Sequence, residues 1–123
     1  MKIINKKTGY ALRVLILLAK ADRIMTSRQM SEANNLPLIF TRRICQDLVK
    51  HKLIKSKEGT KGGFRLLKST KEISIFQVMH AVNASNICIC NYCKKDCSIK
   101  NKLSYIEDKI LKELIKVKVF NLL

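Results

Sequence analysis

Between Thr8 and Ala21 polar positions almost vanish. Ala11, Leu12, Val14, Leu15, Ile16, Leu17, Leu18 and Ala19 leave Arg13 and Lys20 as the charged exits. A helix apolar nearly all round is buried on several sides, so this segment predicts a core helix. At Thr26 the pattern changes. Thr26 and Ser27 carry hydroxyls that accept from the unpaired N–H groups of a first helical turn, and Asn34-Asn35 suits the left-handed conformation at which helices commonly end. Leu36-Pro37 restarts the chain, because Pro is tolerated in a first turn where its missing N–H is not needed. A second helix follows from Leu38 to His51, with Phe40, Ile44, Leu48 and Val49 at spacings of four, four and one. Leu53 to Ser56 reads as a short strand, Lys57 to Gly63 as a turn, and Phe64 to Lys68 as a returning strand. Three glycines in five positions (Gly59, Gly62, Gly63) allow a tight turn and a close approach of backbone to a phosphate.

Beyond the hairpin, Ser74 is placed to cap a helix carrying Ile75, Phe76, Val78, Met79, Ala81 and Val82. Asn83 to Ser98 has neither helical nor strand periodicity and reads as a loop. From there Ile99, Leu103, Ile106, Ile110, Leu114 and Val117 recur at spacings of four, three, four, four and three. That is a near-heptad seam, widened by Leu111, Ile115 and Val119. Two short helices joined by a tight turn are a helix-turn-helix, and a hairpin after them is a wing. The fold expected is therefore mainly α with a small β-hairpin wing: a winged helix-turn-helix domain over 1–82, a cysteine-rich loop over 83–98 and a long dimerisation helix over 99–123. A seam of this kind on a small domain predicts a homodimer.

Charge sharpens the picture. The chain of 123 residues carries a formal net charge of +16, with 47% hydrophobic residues to build a core. Arg42 to Lys71 holds ten Lys and Arg against two acids, Asp47 and Glu58. Such a concentration predicts a polyanionic partner, and duplex DNA is the one that suits a winged helix, since its phosphates release counterions when neutralised. Two subunits then read two half-sites one turn apart, in a pseudo-palindromic operator. The competing class is a binder of anionic membrane surface or of a partner protein, which salt-sensitive binding to duplex DNA would separate. Lys6-Lys7 and the apolar run to Ala21 mimic an export signal, but Arg13 interrupts the run and cleavage would remove a core helix. The run is also too short to span a bilayer, so a cytoplasmic protein without membrane contact is expected. No Ser/His/Asp set clusters and no phosphate-binding loop is present, so an enzyme is not expected. His80 reads as an ordinary residue of its helix, and His51 as a favourable C-terminal residue.

Five cysteines remain: Cys45 alone, and Cys88, Cys90, Cys93 and Cys97 within ten residues. An odd count does not suit a closed disulfide framework. Four clustered thiols in a reducing compartment point to a soft metal or a redox switch. Short spacings are how ferredoxin loops hold iron–sulfur clusters, whereas structural zinc is usually held by two separated pairs. Lys94-Lys95 beside Cys93 and Cys97 favours the thiolate forms. Cys45 lies on the apolar side of its helix and reads as a small core residue.

Several stretches together resemble the Rrf-type (IscR/NsrR/CymR-like) winged-helix transcription regulators. They are Lys7-Thr-Gly-Tyr-Ala-Leu-Arg13, the helix from Leu36 to Val49, Glu58-Gly-Thr-Lys-Gly-Gly-Phe-Arg-Leu66 in the wing, and Ile73-Ser-Ile-Phe-Gln-Val-Met-His-Ala-Val82. A Cys-rich loop and a long helix complete the order, so the resemblance covers essentially the whole chain. It implies a dimeric, sequence-specific bacterial DNA-binding protein, with repression as the working expectation. By position, base contacts fall on the helix containing Pro37, Leu38, Ile39, Phe40, Arg42 and Arg43. Arg42 and Arg43 are the best readers, since guanidinium binds guanine edges bidentately. Lys57, Thr60 and Lys61, with Gly62 and Gly63, suit the backbone or minor groove, and Arg28 joins the candidate DNA-facing set. The resemblance also implies an iron–sulfur cluster, of 2Fe–2S type, on three loop cysteines and a fourth, variable ligand; the candidates here are Cys88, Cys90, Cys93 and Cys97. Zinc, or no metal and thiol chemistry, are the alternatives. Relatives space their cysteines more widely and take a fourth ligand from positions that here are Gly9 and Lys100. Neither can serve, which leaves the fourth loop cysteine to replace them.

Overall fold

The computed structural model describes residues 4–83 and 98–123, with the backbone path alone for 98–104. Its first helix, α1 (Lys6–Ala21), begins where the Asn5 side chain accepts from the Thr8 backbone N–H at 2.9 Å. It ends at Asp22, in the left-handed region with φ 49°, whose N–H returns to Leu18 O at 3.1 Å. Ala11, Val14 and Leu15 are fully buried. The helix meets α2, α3, α4, the second wing strand and the C-terminal turn. The burial expected on several sides thus comes from its own chain.

The second helix, α2 (Ser27–Asn34), opens with a reciprocal cap: Gln29 N donates to Thr26 Oγ1 (3.1 Å) and Thr26 N donates to Gln29 Oε1 (2.9 Å). Two orphan donors are satisfied by one pair of side chains. Asn35 takes the left-handed turn at φ 53°. The Ser31 hydroxyl then donates to Leu36 O across the corner. The third helix, α3 (Leu38–Lys50), starts at Pro37 and buries Thr41, Ile44, Cys45 and Leu48. Thr41 is buried although polar because its hydroxyl donates to Pro37 O at 3.1 Å. Phe40 and Val49 pack at the margin of this core rather than inside it.

The wing is an antiparallel pair, β1 (Ile54–Lys57) and β2 (Gly63–Leu66), in the register Ile54↔Leu66, Lys55↔Arg65, Ser56↔Phe64 and Lys57↔Gly63. A third short bridge ties it down: Met25 N donates to Phe64 O (3.0 Å) and Phe64 N to Met25 O (2.8 Å). Gly63, at φ +149°, makes this approach possible, because a Cβ there would stand 2.6 Å from Met25 O. Gly62 is equally constrained, with an added Cβ 2.2 Å from Lys57 O. Both glycines therefore have a reason to be glycine that involves no ligand.

The fourth helix, α4 (Ile75–Asn83), is capped by Ser74 through the same reciprocal device, at 3.1 and 2.9 Å to Gln77. Its far end is fixed by Asn83, whose amide donates to Met79 O (2.8 Å) and to the buried Thr8 hydroxyl (3.0 Å). The fifth helix, α5 (Ser98–Lys116), is long and amphipathic but stops short of residue 123. At Val117 the chain becomes extended. Lys118 bridges Ser74, Ile75 N donates to Val117 O at 2.9 Å and Val119 N to Ile73 O at 2.8 Å. A 3-10 turn (Val119–Leu122) closes the chain. Val119, expected to widen the seam of the last helix, is instead fully buried in the winged domain's core. β-branched valines at 117 and 119 favour this extended segment over further helix.

Candidate nucleic-acid interface

With Thr41, Ile44, Cys45 and Leu48 turned inward, α3 presents Ile39, Arg42, Arg43, Gln46 and Lys50 outward, all exposed. These positions recur at helical spacing and form one stripe along the helix. Ile39 is 74% exposed, which folding alone does not require of a large aliphatic side chain. Pro37, just before α3, and Arg28 on α2 are exposed, and Leu38 is half-buried. Phe40 is half-buried too, with its ring edge-on to Tyr10 of α1 at 5.7 Å between centroids. It holds α3 to α1 and so sets the height at which the outer stripe stands.

The wing carries Lys55, Lys57, Thr60, Lys61 and Arg65 at exposed positions. Lys55 and Arg65 are directly opposed in the strand register. Like charges across a strand pair destabilise it, so this arrangement costs the fold something that a polyanion would return. Among the described residues no cation of α3 or the wing takes part in an ion pair. Between α2, the outer face of α3 and the wing lies a groove of about 660 Å³, lined in part by Thr26, Gln46, Lys50, Lys57, Gly62 and Phe64. The structure therefore brings the wing residues Lys57 and Gly62 beside α3. Gln46 and Lys50 share the stripe and were overlooked in the sequence. The signal was present, since they continue the exposed face of Arg42 and Arg43 by one and two turns.

The thiols divide sharply. Cys88, Cys90, Cys93 and Cys97 lie outside the described residues. Among the described residues no group of three or more His, Cys, Asp or Glu is placed to hold a metal. Cys45 is fully buried on α3, and desolvation pushes its thiol from 9.0 up to about 12. It is a core residue, not a reactive one. His51 ends α3, with its Nδ1 3.0 Å from Asp47 O. No helix among the described residues is long and apolar enough to cross a membrane.

A capped helix-turn-helix, a basic outer stripe and a glycine-hinged two-stranded wing define the class of winged helix-turn-helix proteins. Within it the chain belongs to the Rrf2 family, described as iron-dependent transcriptional regulators, whose pattern matches residues 4–123. The family is one of regulators, not enzymes. An rrf2-like HTH-type transcriptional regulator of Rhodobacter capsulatus is 29% identical over 86 residues, covering 66% of this chain and 57% of the relative. The chain spans a little over half the length of the curated relatives it matches, 57% and 54%. In fold it is similar to CymR, the global cysteine regulator of B. subtilis, at TM-score 0.78 and 22% identity over 99% of this chain and 96% of that one. It is also similar to T. potens IscR, at TM-score 0.75 and 18% identity over 99% and 85%.

Proposed function

We propose that the chain binds a pseudo-palindromic operator in double-stranded DNA as a homodimer, acting in the bacterial cytoplasm as a repressor tuned by its cysteine loop. The observation that carries this reading is the exposed stripe Ile39, Arg42, Arg43, Gln46 and Lys50 beside a wing whose cations take part in no ion pair among the described residues. Arg42 and Arg43 supply bidentate donors for guanine, Gln46 for adenine, and Ile39 an apolar contact for a thymine methyl. Lys57, Thr60 and Lys61 at the wing, with Arg28 on α2, face the phosphates.

Dimerisation is supported by α5. Ile106, Ile110, Leu111 and Leu114 are only half-buried by their own chain, and Tyr105 and Ile115 are exposed. Ile110→Glu would place an unpaired charge in that stripe and split the dimer in sedimentation. Regulation rests on Cys88, Cys90, Cys93 and Cys97, whose four thiolates within ten residues suit an iron–sulfur cluster. Such a cluster would supply an oxidisable, iron-dependent tie, and its gain or loss would change operator affinity. A colourless protein on anaerobic purification would favour zinc, thiol chemistry or a partner protein instead.

Operator binding at several salt concentrations tests the core of the proposal. Arg42→Ala should relax base preference by about 1–3 kcal/mol at one position. Lys61→Ala should weaken all sequences alike and flatten the salt dependence. Unchanged sequence preference in Arg42→Ala would remove α3 from the reading role.

A further inference from the structure

The two histidines of the chain, far apart in sequence, meet in space. His51 closes α3 and His80 stands on α4, with ring centroids 5.7 Å apart and planes at 84°. His51 Nδ1 lies 3.0 Å from the carbonyl of Asp47. A carbonyl can only accept, so Nδ1 carries the hydrogen and the neutral ring keeps its lone pair on Nε2. Histidines that bind metals are oriented this way, with the second ring nitrogen donating to a backbone carbonyl or carboxylate. His80 is steadied on its other side by Phe76, nearly parallel at 14° and 6.3 Å.

The spacing comes close to that of a shared ion. With metal–nitrogen bonds of about 2.0–2.1 Å, each ring centroid stands roughly 3.2 Å from the metal, and two rings at a near-tetrahedral angle come about 5–5.5 Å apart. The observed 5.7 Å lies just beyond that range, within a small adjustment of two side chains. His80 is exposed and His51 half-buried, so water can complete the coordination. Imidazole suits borderline divalent ions, zinc among them. Asp47, on the same turn as His51, does not complete a group of three ligands among the described residues.

We infer that His51 and His80 form a two-histidine site for a borderline divalent metal ion such as zinc. The bound ion staples the C-terminal end of α3 to α4. It is separate from the cysteine loop in residues and independent of the operator-binding proposal. Two protein ligands and water make the site weak, suited to responding to metal supply rather than to permanent structural binding.

The test is a titration of the full chain with zinc chloride, followed by the side-chain nitrogen resonances of the two histidines. Zinc taken by the loop cysteines delays the histidine response. The expected result is that His51 and His80 then shift together along one binding curve. In His80→Gln the His51 response should weaken by roughly tenfold or more, because the second ligand no longer acts within one molecule. His51→Gln should do the same to His80, and the backbone spectra of both variants report that the fold is intact. Independent curves for the two rings, an undiminished His51 response in His80→Gln, or no shift in either ring at millimolar zinc would each overturn the inference.

Discussion

Replacing Gly63 by alanine puts a methyl group where the wing is sewn to the domain. An added Cβ would stand 2.6 Å from Met25 O and 2.9 Å from the Ile24 side chain, at a backbone φ of +149°. Two consequences follow, and they can be separated. The left-handed backbone costs a residue with a Cβ about 1–2 kcal/mol. The clash must then push apart Met25 and Phe64, which exchange hydrogen bonds of 3.0 and 2.8 Å. At a net worth of about 0.5–1.5 kcal/mol each, losing both costs about 1–3 kcal/mol. Gly63→Ala should therefore destabilise by about 2–5 kcal/mol, a large share of a typical domain's 5–15 kcal/mol. Gly59 provides the control. It has φ +107° but nothing within 4 Å of an added Cβ, so Gly59→Ala should carry the conformational cost alone, about 1–2 kcal/mol. Urea unfolding followed by far-ultraviolet circular dichroism, at one protein concentration, gives both numbers from midpoints with an unchanged slope. Equal losses in the two variants would refute the reasoning, because they would mean that the Met25–Phe64 bridge contributes nothing to holding the wing.

Three further outcomes follow from other residues. Thr26→Ala removes half of a reciprocal cap and should cost about 0.5–2 kcal/mol in a thermal or urea melt; an unchanged melt would mean the start of α2 is held from elsewhere. Val119 is fully buried, so Val119→Ala should cost about 1.5–3 kcal/mol and expose the C-terminal turn to protease, whereas a neutral substitution would show that the segment does not dock. Cys45 is raised in the folded state from 9.0 to about 12 by burial. The folded value exceeds the unfolded one, so the stability tied to the neutral thiol is intact below pH 9 and is lost as pH rises toward about 12. Cys45→Ala should flatten that loss, and the native thiol should react with a disulfide reagent only at the rate of unfolding.

What was legible in the sequence was local chemistry. Thr26, Asn35 and Ser74 each act within three residues, and each stands where the residue types placed it, though their reciprocal partners Gln29 and Gln77 were not read. The wing was found but shifted by one or two residues, because its edges depend on Met25, nearly forty positions upstream of Phe64. Periodicity failed at the C-terminus for a physical reason. A stripe of Leu, Ile and Val repeats with the same spacing whether it meets a second copy or its own domain, so Val119 could not be told from Ile110. Thr41 was overlooked because its burial depends on a carbonyl one turn back. The two histidines were read singly because nothing in either one's neighbourhood announces the other. Of the site, the exposed face of α3 was read through Arg43, and Gln46 and Lys50 were missed.

The two ends of α4 have a shared property. At one end the Asn83 amide donates to Thr8 and Met79, and its Oδ1 accepts from the Asn5 Nδ2 at 2.6 Å. At the other end Ser74 and Ile75 are bridged to Lys118 and Val117. The chain thus leaves α4 at Asn83 and is hydrogen-bonded again beside the start of the same helix at Val117. The C-terminal end of α5 is thereby held to the helix that packs against α1 and α3. A change that loosened Val117 and Val119 from Ile73 and Ile75 would therefore act on the winged domain's core and on the base of α5 together.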